Sequence, residues 1–336
     1  MELKKISIKD IANNPGSKYI KFKEGFLIKI LKKAARSNSP HRNIEFCIKL
    51  GTKINKNTNS SLTILHWIKF NRAIPISKLN TLVDLSAISW KEVEANIIGL
   101  RQGLGGGEIF TKFPIKIGNE LGSIVGHIIG DGSIDKRYQQ VFFSNSNKEL
   151  LTEFSDDMEE VFGIKPRIWM QKRTIAFKQK TRWDRRLSTI EELKDGRNCG
   201  LFYPTICGIL LNLIFSDFAI GVNKKVTSKI KSAPREFKSG LIRAFCDDEG
   251  SVGSKSIRLF QDRKDILADI KHLLNEFDIS TKDIKMYIKR DKKRYYLDIH
   301  RKSNLIKFRD NIGLTSTKKS NKLRDACIIK NRKNSR

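Results

Sequence analysis

Two segments of the chain share one unusual pattern, a stretch of small and apolar residues that ends in an acid, a glycine and a serine. In the first, LGSIVGHIIGDGS, glycines recur at every fourth position: Gly122, Gly126 and Gly130. Residues four apart lie on one face of a helix. Each glycine inside a helix costs about 1 kcal/mol relative to alanine, and the usual compensation is close approach of another backbone. This stripe therefore predicts a helix packed tightly against a second helix.

The second segment, SGLIRAFCDDEGS, is the natural partner, because Gly240 and Ala244 hold comparable positions in it. The two segments end in Asp131 and Glu249, each followed by a glycine that suits a left-handed residue after a helix. An acid is unfavourable at a helix C-terminus, which already carries partial negative charge. If the helices pack in parallel, the two carboxylates come together and need a cation, and oxygen ligands favour Mg²⁺. Each triplet could instead be a plain polar turn, but their matched occurrence favours a shared metal site.

The part of the chain after residue 112 is predicted to be α+β and internally repeated. Each unit reads as a helix, strands, a helix, strands and a helix, opening with one of the two acid-ended segments. Such a duplication predicts two similar halves, residues 113–233 and 234–336, packed about a pseudo-twofold axis. The second half ends in a basic C-terminal tail.

The N-terminal part, residues 1–100, reads as a succession of short helices broken by polar turns. The segment LTILHWIKFNRAIPISKLNTLVDLSAI resembles a helix-turn-helix of the small repressor type, with a short turn at residues 71–75. It predicts a small all-α DNA-binding domain, and an ordinary helical domain without a DNA role is the alternative. The glycine-rich stretch in residues 101–112 is expected to be a flexible linker.

The charge of the chain points to a polyanionic partner. Lysine and arginine number 66 against 36 acids, a formal charge of +30, and nucleic acid is the long polyanion that such a chain meets. No apolar run approaches the roughly 18 residues of a membrane span, and the N-terminus lacks the apolar core of a signal peptide. The five cysteines form no CxxC pair, so we expect an intracellular protein without disulfides or a zinc ribbon.

The segments IVGHIIGDGSI and LIRAFCDDEGSV resemble the two signature helices of the LAGLIDADG homing endonucleases in their single-chain form. SAPREFKSG before the second motif and FRDNIGLTSTKKSNKL near the end resemble archaeal and intein-borne members. The chain starts with methionine and ends in NRKNSR, so we expect a free-standing, intron-encoded protein rather than an intein.

The resemblance implies two αββαββα halves whose saddle-shaped sheets lie along the DNA major groove, in a monomer with two half-sites. It implies that Asp131 and Glu249 are the catalytic, metal-binding acids, and that the carbonyl groups of Gly130 and Asp248 are further ligands. The first motif departs from the family at Ile129, where an earlier acid is usual and Asp247 keeps it in the second motif. His127 is also unusual, and we expect it to pack at the interface.

Candidate DNA contacts follow from strand alternation, because alternate residues of a half-buried strand face away from the core. In KMYIK we expect Met286 and Ile288 to face the core, and the other residues to face DNA. The nucleic-acid-binding candidates are Lys136, Arg137, Asn145, Lys172, Arg173, Lys255, Arg258, Gln261, Lys285, Tyr287, Lys289 and Lys302. The alternative is that these are solvated surface groups. Lys255 and Lys302 are also possible active-site lysines of the second half, and the first half offers no match.

The leading hypothesis is a Mg²⁺-dependent endonuclease that cuts double-stranded DNA at a specific site. A non-cleaving DNA-binding regulator on the same scaffold is the second hypothesis, kept open by the N-terminal domain. An intron RNA maturase is the third, because a basic surface does not by itself distinguish RNA from DNA.

Overall fold

A computed structural model of the chain describes residues 5–13, 18–103, 107–137, 139–171, 183–193, 197–221, 223–289 and 291–328. Two of the candidate DNA contacts, Lys172 and Arg173, lie outside these residues. The helices of the described residues include none with both the length and the apolar composition of a membrane span.

The N-terminal region combines short helices with a small sheet. Its elements are β1 (Lys5–Ile6), α1 (Ile8–Ala12), β2 (Lys18–Phe22), α2 (Phe26–Ala35), α3 (Ile44–Lys49), α4 (Leu62–Phe70), β3 (Ile74–Pro75), α5 (Leu79–Ser86), α6 (Trp90–Ala95), β4 (Ile97–Gln102), β5 (Glu108–Ile109) and β6 (Ile115–Lys116). Strands β3, β2, β4 and β5 form one sheet in that order, and β1 pairs with β6.

The prediction of an all-α N-terminal region is wrong, because β2 and β4 pair antiparallel through its centre. The helix that begins after Ser89 ends at Ala95, where Asn96 caps it, and Ile97 and the residues after it continue as a strand. Ile20 and Leu100 are fully buried opposite each other. Between α4 and α5 the chain forms β3 and a 3₁₀ turn rather than one short turn. The helix-turn-helix therefore stays a prediction.

The glycine-rich stretch also differs from the expected linker. Strand β4 extends to Gln102 and β5 pairs with it. The amide of Phe110 then donates to the Phe162 carbonyl at 3.0 Å, and the Thr111 hydroxyl donates to the Val161 carbonyl at 2.6 Å. These bonds join the described part of residues 101–112 to the elements on both of its sides.

The first half follows, and among the described residues its sheet has seven strands, compared with four in the sheet of the second half. Its elements are α7 (Asn119–Ile129), β7 (Ser133–Ile134), β8 (Val141–Asn145), α8 (Lys148–Phe162), β9 (Arg167–Gln171), β10 (Trp183–Leu187), β11 (Cys199–Phe202), α9 (Thr205–Phe215), β12 (Ala219–Ile220), β13 (Asn223–Lys224) and α10 (Ser228–Lys231). The sheet order is β10-β9-β11-β8-β7-β12-β13.

The second half repeats this pattern in a shorter form. Its elements are α11 (Arg235–Glu249), β14 (Gly250–Val252), β15 (Ser256–Gln261), α12 (Lys264–Asn275), β16 (Lys285–Lys289), β17 (Lys292–His300), α13 (Lys302–Asn311) and α14 (Thr317–Ile328). Its sheet order, β14-β15-β17-β16, corresponds to the order β7-β8-β11-β9 within the first-half sheet. The predicted α+β fold with two similar halves is confirmed.

Helices α7 and α11 form the interface between the halves, as the glycine stripe predicts. A Cβ atom at Gly122 would overlap the carbonyl oxygen of Phe237, one at Gly126 would overlap that of Leu241, and one at Gly240 would overlap that of Asn119. Partners advance along both helices in the same direction, so the helices are parallel. Both C-terminal ends therefore lie at the same side of the molecule.

Candidate active site at the paired helix ends

The acid-glycine steps connect each interface helix to the first strand of its half. Asp131 follows the C-terminal end of α7, and Glu249 is the last residue of α11. The glycines after them, Gly132 and Gly250, do not have the left-handed conformation that we predicted. Glycine is needed at both positions because a side chain would clash with the preceding helix. A Cβ atom at Gly132 would lie 2.9 Å from Cα of Ile128, and one at Gly250 would overlap the Cys246 carbonyl oxygen.

Each acid accepts a hydrogen bond from a side-chain amide of its own half. Asn145 Nδ2 donates to Asp131 Oδ2 at 3.1 Å, and Gln261 Nε2 donates to Glu249 Oε1 at 3.3 Å. Asn145 ends β8 and Gln261 ends β15, the equivalent strands of the two halves. The structure brings both amides to the acids, and their predicted contact with DNA stays a prediction.

Burial and neighbouring carboxylates shift the ionisation of both acids. Desolvation and the nearby charge of Asp248 raise the pKa of Asp131 to about 6. Desolvation, followed by the charges of Asp131 and Asp248, raises the pKa of Glu249 to about 7. Carboxylates that repel each other in this way favour a cation between them.

Two lysines that sequence reasoning missed lie beside these acids. Lys224 Nζ donates to the Gly130 carbonyl at 2.5 Å, and its charge lowers the pKa of both Asp131 and Glu249. Lys319 Nζ donates to the carbonyls of Asp247 and Cys246, and its charge acts on Asp131. Burial lowers the pKa of Lys224, although the neighbouring acids oppose this. The available signal was a Lys-Lys pair in each half, Lys224-Lys225 after α9 and Lys318-Lys319 after α13.

Lys255 and Lys302, our suggestions for active-site lysines, lie elsewhere. Lys255 is exposed in the turn between β14 and β15, and Lys302 is exposed at the first residue of α13. Among the described residues, the lysines whose charges act on the pKa values of Asp131 and Glu249 are Lys224 and Lys319.

His127 lies inside the interface, as expected, but it makes ionic as well as packing contacts. Its ring lies 4.6 Å from that of Phe143 between centroids. Nδ1 is 3.0 Å from Asp248 Oδ2, and Nε2 is 3.4 Å from Glu153 Oε2. Burial opposes a charge on the ring, but the charge of Asp248 and the hydrogen bonds to Asp248 and Glu153 outweigh it and raise the pKa of His127 to about 10.

The donor set at the helix ends fits a hard divalent cation that is shared with a ligand. No group of three or more His, Cys, Asp and Glu side chains within the described ranges is arranged to hold a metal ion. Mg²⁺ is usually held by one or two carboxylates, with substrate phosphates and water completing its shell. Asp131 and Glu249 suit such a site because neighbouring basic groups offset their negative charges only in part.

One face of the second-half sheet collects several of the predicted DNA contacts. Arg258 lies opposite Asp298, Lys285 opposite Tyr296, Tyr287 opposite Arg294, and Lys289 opposite Lys292. Arg258 is bound to Asp298 at 2.7 and 3.1 Å, and its guanidinium group lies 4.4 Å from the centroid of Tyr296. The Tyr287 ring lies near the rings of Phe260 and Tyr296. Contacts among the side chains of this face therefore hold some of them in place.

The opposite face of β16 corrects our prediction for the hairpin. Met286 and Ile288 are 52% and 68% exposed rather than buried. Strand β16 is the edge of its sheet, and helix α12 packs on β15 and β17. The alternation of the strand was therefore correct, but nothing among the described residues covers its apolar side.

In the first half, the predicted contacts Lys136 and Arg137 are exposed in the connection between β7 and β8. The backbone amide of Arg137 donates to Asp135 Oδ1 at 2.9 Å. Both residues therefore lie in the loop that leads into β8, the strand that ends at Asn145.

Comparisons with known proteins give one domain family and several distant likenesses. The LAGLIDADG-like domain family matches residues 119–195 and 236–313. The replication factor C small subunit of Methanocaldococcus jannaschii is 27% identical over 209 residues, which is 61% of this chain and 10% of that protein. The chain thus spans about a tenth of the length of this curated relative.

Two solved structures are similar to parts of the chain. The complex of I-DmoI with DNA and Ca is 15% identical and covers 58% of this chain and 90% of that chain, with a TM-score of 0.39. The N-terminal LAGLIDADG domain of WhiA is 12% identical and covers 60% of this chain and 84% of that chain, with a TM-score of 0.36.

Proposed function

Because the chain contains two LAGLIDADG-like domains in tandem, we propose that it is a site-specific endonuclease for double-stranded DNA. The observation that carries the proposal is the matched pair of acids at the ends of α7 and α11. Asp131 and Glu249 each accept a hydrogen bond from an amide at the end of the equivalent strand. Two acid sites related by a pseudo-twofold axis suit a duplex, whose two strands are related by a similar axis. Each acid would serve one scissile phosphate.

The surface charge supports a nucleic-acid substrate. The chain carries a formal charge of +30, and the sheet face with Arg258, Lys285 and Lys289 is cationic. Arginine and lysine in the major groove can read base edges, and lysines at the rim can bind phosphates. We propose residues 1–100 as a separate DNA-binding region that contacts sequence beside the cut, and residues 113–233 and 234–336 as the two halves. The duplication makes a monomer sufficient.

The residues that would hold a divalent cation, Mg²⁺ by preference, are Asp131 and Glu249, with the carbonyls of Gly130 and Asp248. Bound there, the cation would make water a better nucleophile and stabilise charge on the phosphate. Asn145 and Gln261 hold the carboxylates in place. Lys224 and Lys319 bind backbone carbonyls at the helix ends and offset the negative charge of the acids.

The test is cleavage of duplex DNA that spans the gene's own locus without the insertion, in Mg²⁺ and in EDTA. The wild-type protein is compared with Asp131→Asn and Glu249→Gln. Asp217→Asn is a matched control, because Asp217 is an exposed acid in the turn between α9 and β12 with a φ of 53°, which asparagine tolerates. A double-strand cut that needs Mg²⁺ and both acids, and survives in the control, supports the proposal.

Other outcomes assign another function. Tight, sequence-specific DNA binding without a cut in any metal would identify a regulator. Binding to structured RNA that resists salt better than binding to duplex DNA would identify a maturase. A cut that persists in both acid variants would overturn the assignment of the site.

A further inference from the structure

Gly130 and Asp248 occupy equivalent positions, each directly before the acid of its own half. A Cβ atom at Gly130 would lie 2.6 Å from Asp248 Oδ2 and 2.8 Å from Asp248 Cβ, closer than unbonded atoms approach each other. The interface therefore has room for only one side chain between positions 130 and 248. The glycine of the first half is what admits the aspartate of the second.

The carboxylate of Asp248 reaches across the interface into the first half. Oδ2 is 3.0 Å from His127 Nδ1 and accepts from the backbone amide of Asp131 at 3.4 Å. Oδ1 accepts from Asn145 Nδ2 at 3.4 Å. Asn145 also donates to Asp131. Asp248 thus contacts both the backbone of the first acid and the amide that holds its carboxylate.

A buried ionic chain fixes Asp248 in this position. The side chains of Asp248 and His127 are 0% exposed. His127 also contacts Glu153 on α8, and Glu153 Oε1 accepts from Arg243 Nε at 3.0 Å. Arg243 lies on α11, the helix that carries Asp248. The chain of contacts leaves α11, passes through α7 and α8, and returns to α11, with two acids facing two basic groups.

We propose that the Asp248 side chain is a positioning residue for the first half, where it makes its hydrogen bonds, so that the sites of Asp131 and Glu249 are built unequally. This inference rests on the proposed endonuclease function. Asp248 supplies a buried carboxylate to the Asp131 site, and the equivalent residue, Gly130, supplies no side chain to the Glu249 site. Removing that carboxylate should slow the cut of the strand served by Asp131 more than the cut of the other strand.

The test uses Asp248→Asn in the full-length protein and a duplex labelled differently on each strand. Asp131→Asn and Glu249→Gln first identify which strand each acid serves. Loss of about one to two hydrogen bonds should slow the Asp131 strand about tenfold and leave the other strand within about twofold. Asp217→Asn is the control: Asp217 is an exposed acid in the turn between α9 and β12, so both strands should be cut at the wild-type rates.

Hydrogen exchange at the Asp131 amide is a second readout that does not need cleavage. It should become faster in Asp248→Asn and stay unchanged in Asp217→Asn. Equal slowing of both strands, or no slowing, in a protein whose wild type cuts DNA would overturn the inference and leave the endonuclease intact. If the wild-type protein never cuts DNA, the proposed function fails. Unchanged exchange in Asp248→Asn would then also exclude the contact between Asp248 and the Asp131 amide. Faster exchange would support that contact as part of the interface, without a role in cleavage.

Discussion

Asn145 donates its side-chain amide to Asp131 Oδ2 at 3.1 Å, from the last residue of the strand that runs beside the acid. Gln261 stands in the same relation to Glu249 in the second half. The shorter amide side chain pairs with the shorter acid, Asn with Asp, and the longer amide pairs with the longer acid, Gln with Glu. Each amide therefore belongs to one acid site.

The first prediction follows from this pairing. Asn145→Ala should slow the cut made by the Asp131 site, and Gln261→Ala should slow the cut made by the Glu249 site, each about tenfold for a lost hydrogen bond to a charged group. Strand-resolved nicking rates measure both effects. DNA affinity should stay within about threefold of wild type. If both variants lost affinity and kept their single-turnover rates, the amides would be DNA contacts, as the sequence suggested.

The second prediction concerns the helix interface. A Cβ atom at Gly122 would overlap the carbonyl oxygen of Phe237, so Gly122→Ala should lower the free energy of unfolding by about 1–3 kcal/mol. Urea denaturation followed by circular dichroism gives the value. Gly253→Ala is the control, because a Cβ there would lie 3.7 Å from the Ser256 carbonyl oxygen, and its effect should stay within about 0.5 kcal/mol.

The third prediction is a dependence of stability on pH. Burial, helped by the charge of Glu153, raises the pKa of Asp157 from 3.8 to about 7. Between these values the folded state holds a proton that the unfolded state has released. Stability should therefore fall as pH rises through this window, by at most about 1.4 kcal/mol per pH unit from this group.

Asp157→Asn isolates that contribution. Relative to wild type, the variant should gain stability above pH 7, and the gain should disappear below about pH 4, where Asp157 is protonated in both states. Thermal unfolding at a series of pH values gives the difference. A constant difference across the series would show that Asp157 titrates normally in the folded protein.

The fourth prediction distinguishes the roles of Arg258 and Lys285, two basic side chains on the same face of the second-half sheet. Arg258 is bound to Asp298, whose side chain is 11% exposed, so Arg258→Met should leave a nearly buried carboxylate without this partner and cost about 1–3 kcal/mol of stability. Lys285 is exposed on the same face. Lys285→Met should keep its stability and weaken DNA binding with a smaller salt dependence, by about one phosphate contact. Equal stability losses would contradict the distinction.

The interface helices were predictable because their constraint is local. Glycine at every fourth position costs stability that only a second backbone can return, so the stripe through Gly122 and Gly126 by itself predicts close packing. The duplicated order of helices and strands then predicts two halves around that contact. The N-terminal strands β2 and β4 were missed because each is stabilised by the other, about 80 residues away in sequence. Short apolar runs such as IIGL do not by themselves distinguish a helix end from a strand.

The site divides in the same way. The sequence by itself determined that Asp131 and Glu249 are the candidate acids, because an acid at a helix C-terminus is unfavourable without a positively charged partner. Only the tertiary structure decided which groups surround them: Asn145 and Gln261 rather than more distant cations, Lys224 and Lys319 rather than Lys255 and Lys302, and Asp248 through the space beside Gly130. Those choices depend on which strand ends and loops meet at the helix ends. Such contacts depend on how whole helices and strands pack together, and the spacing of residues along the sequence does not predict them.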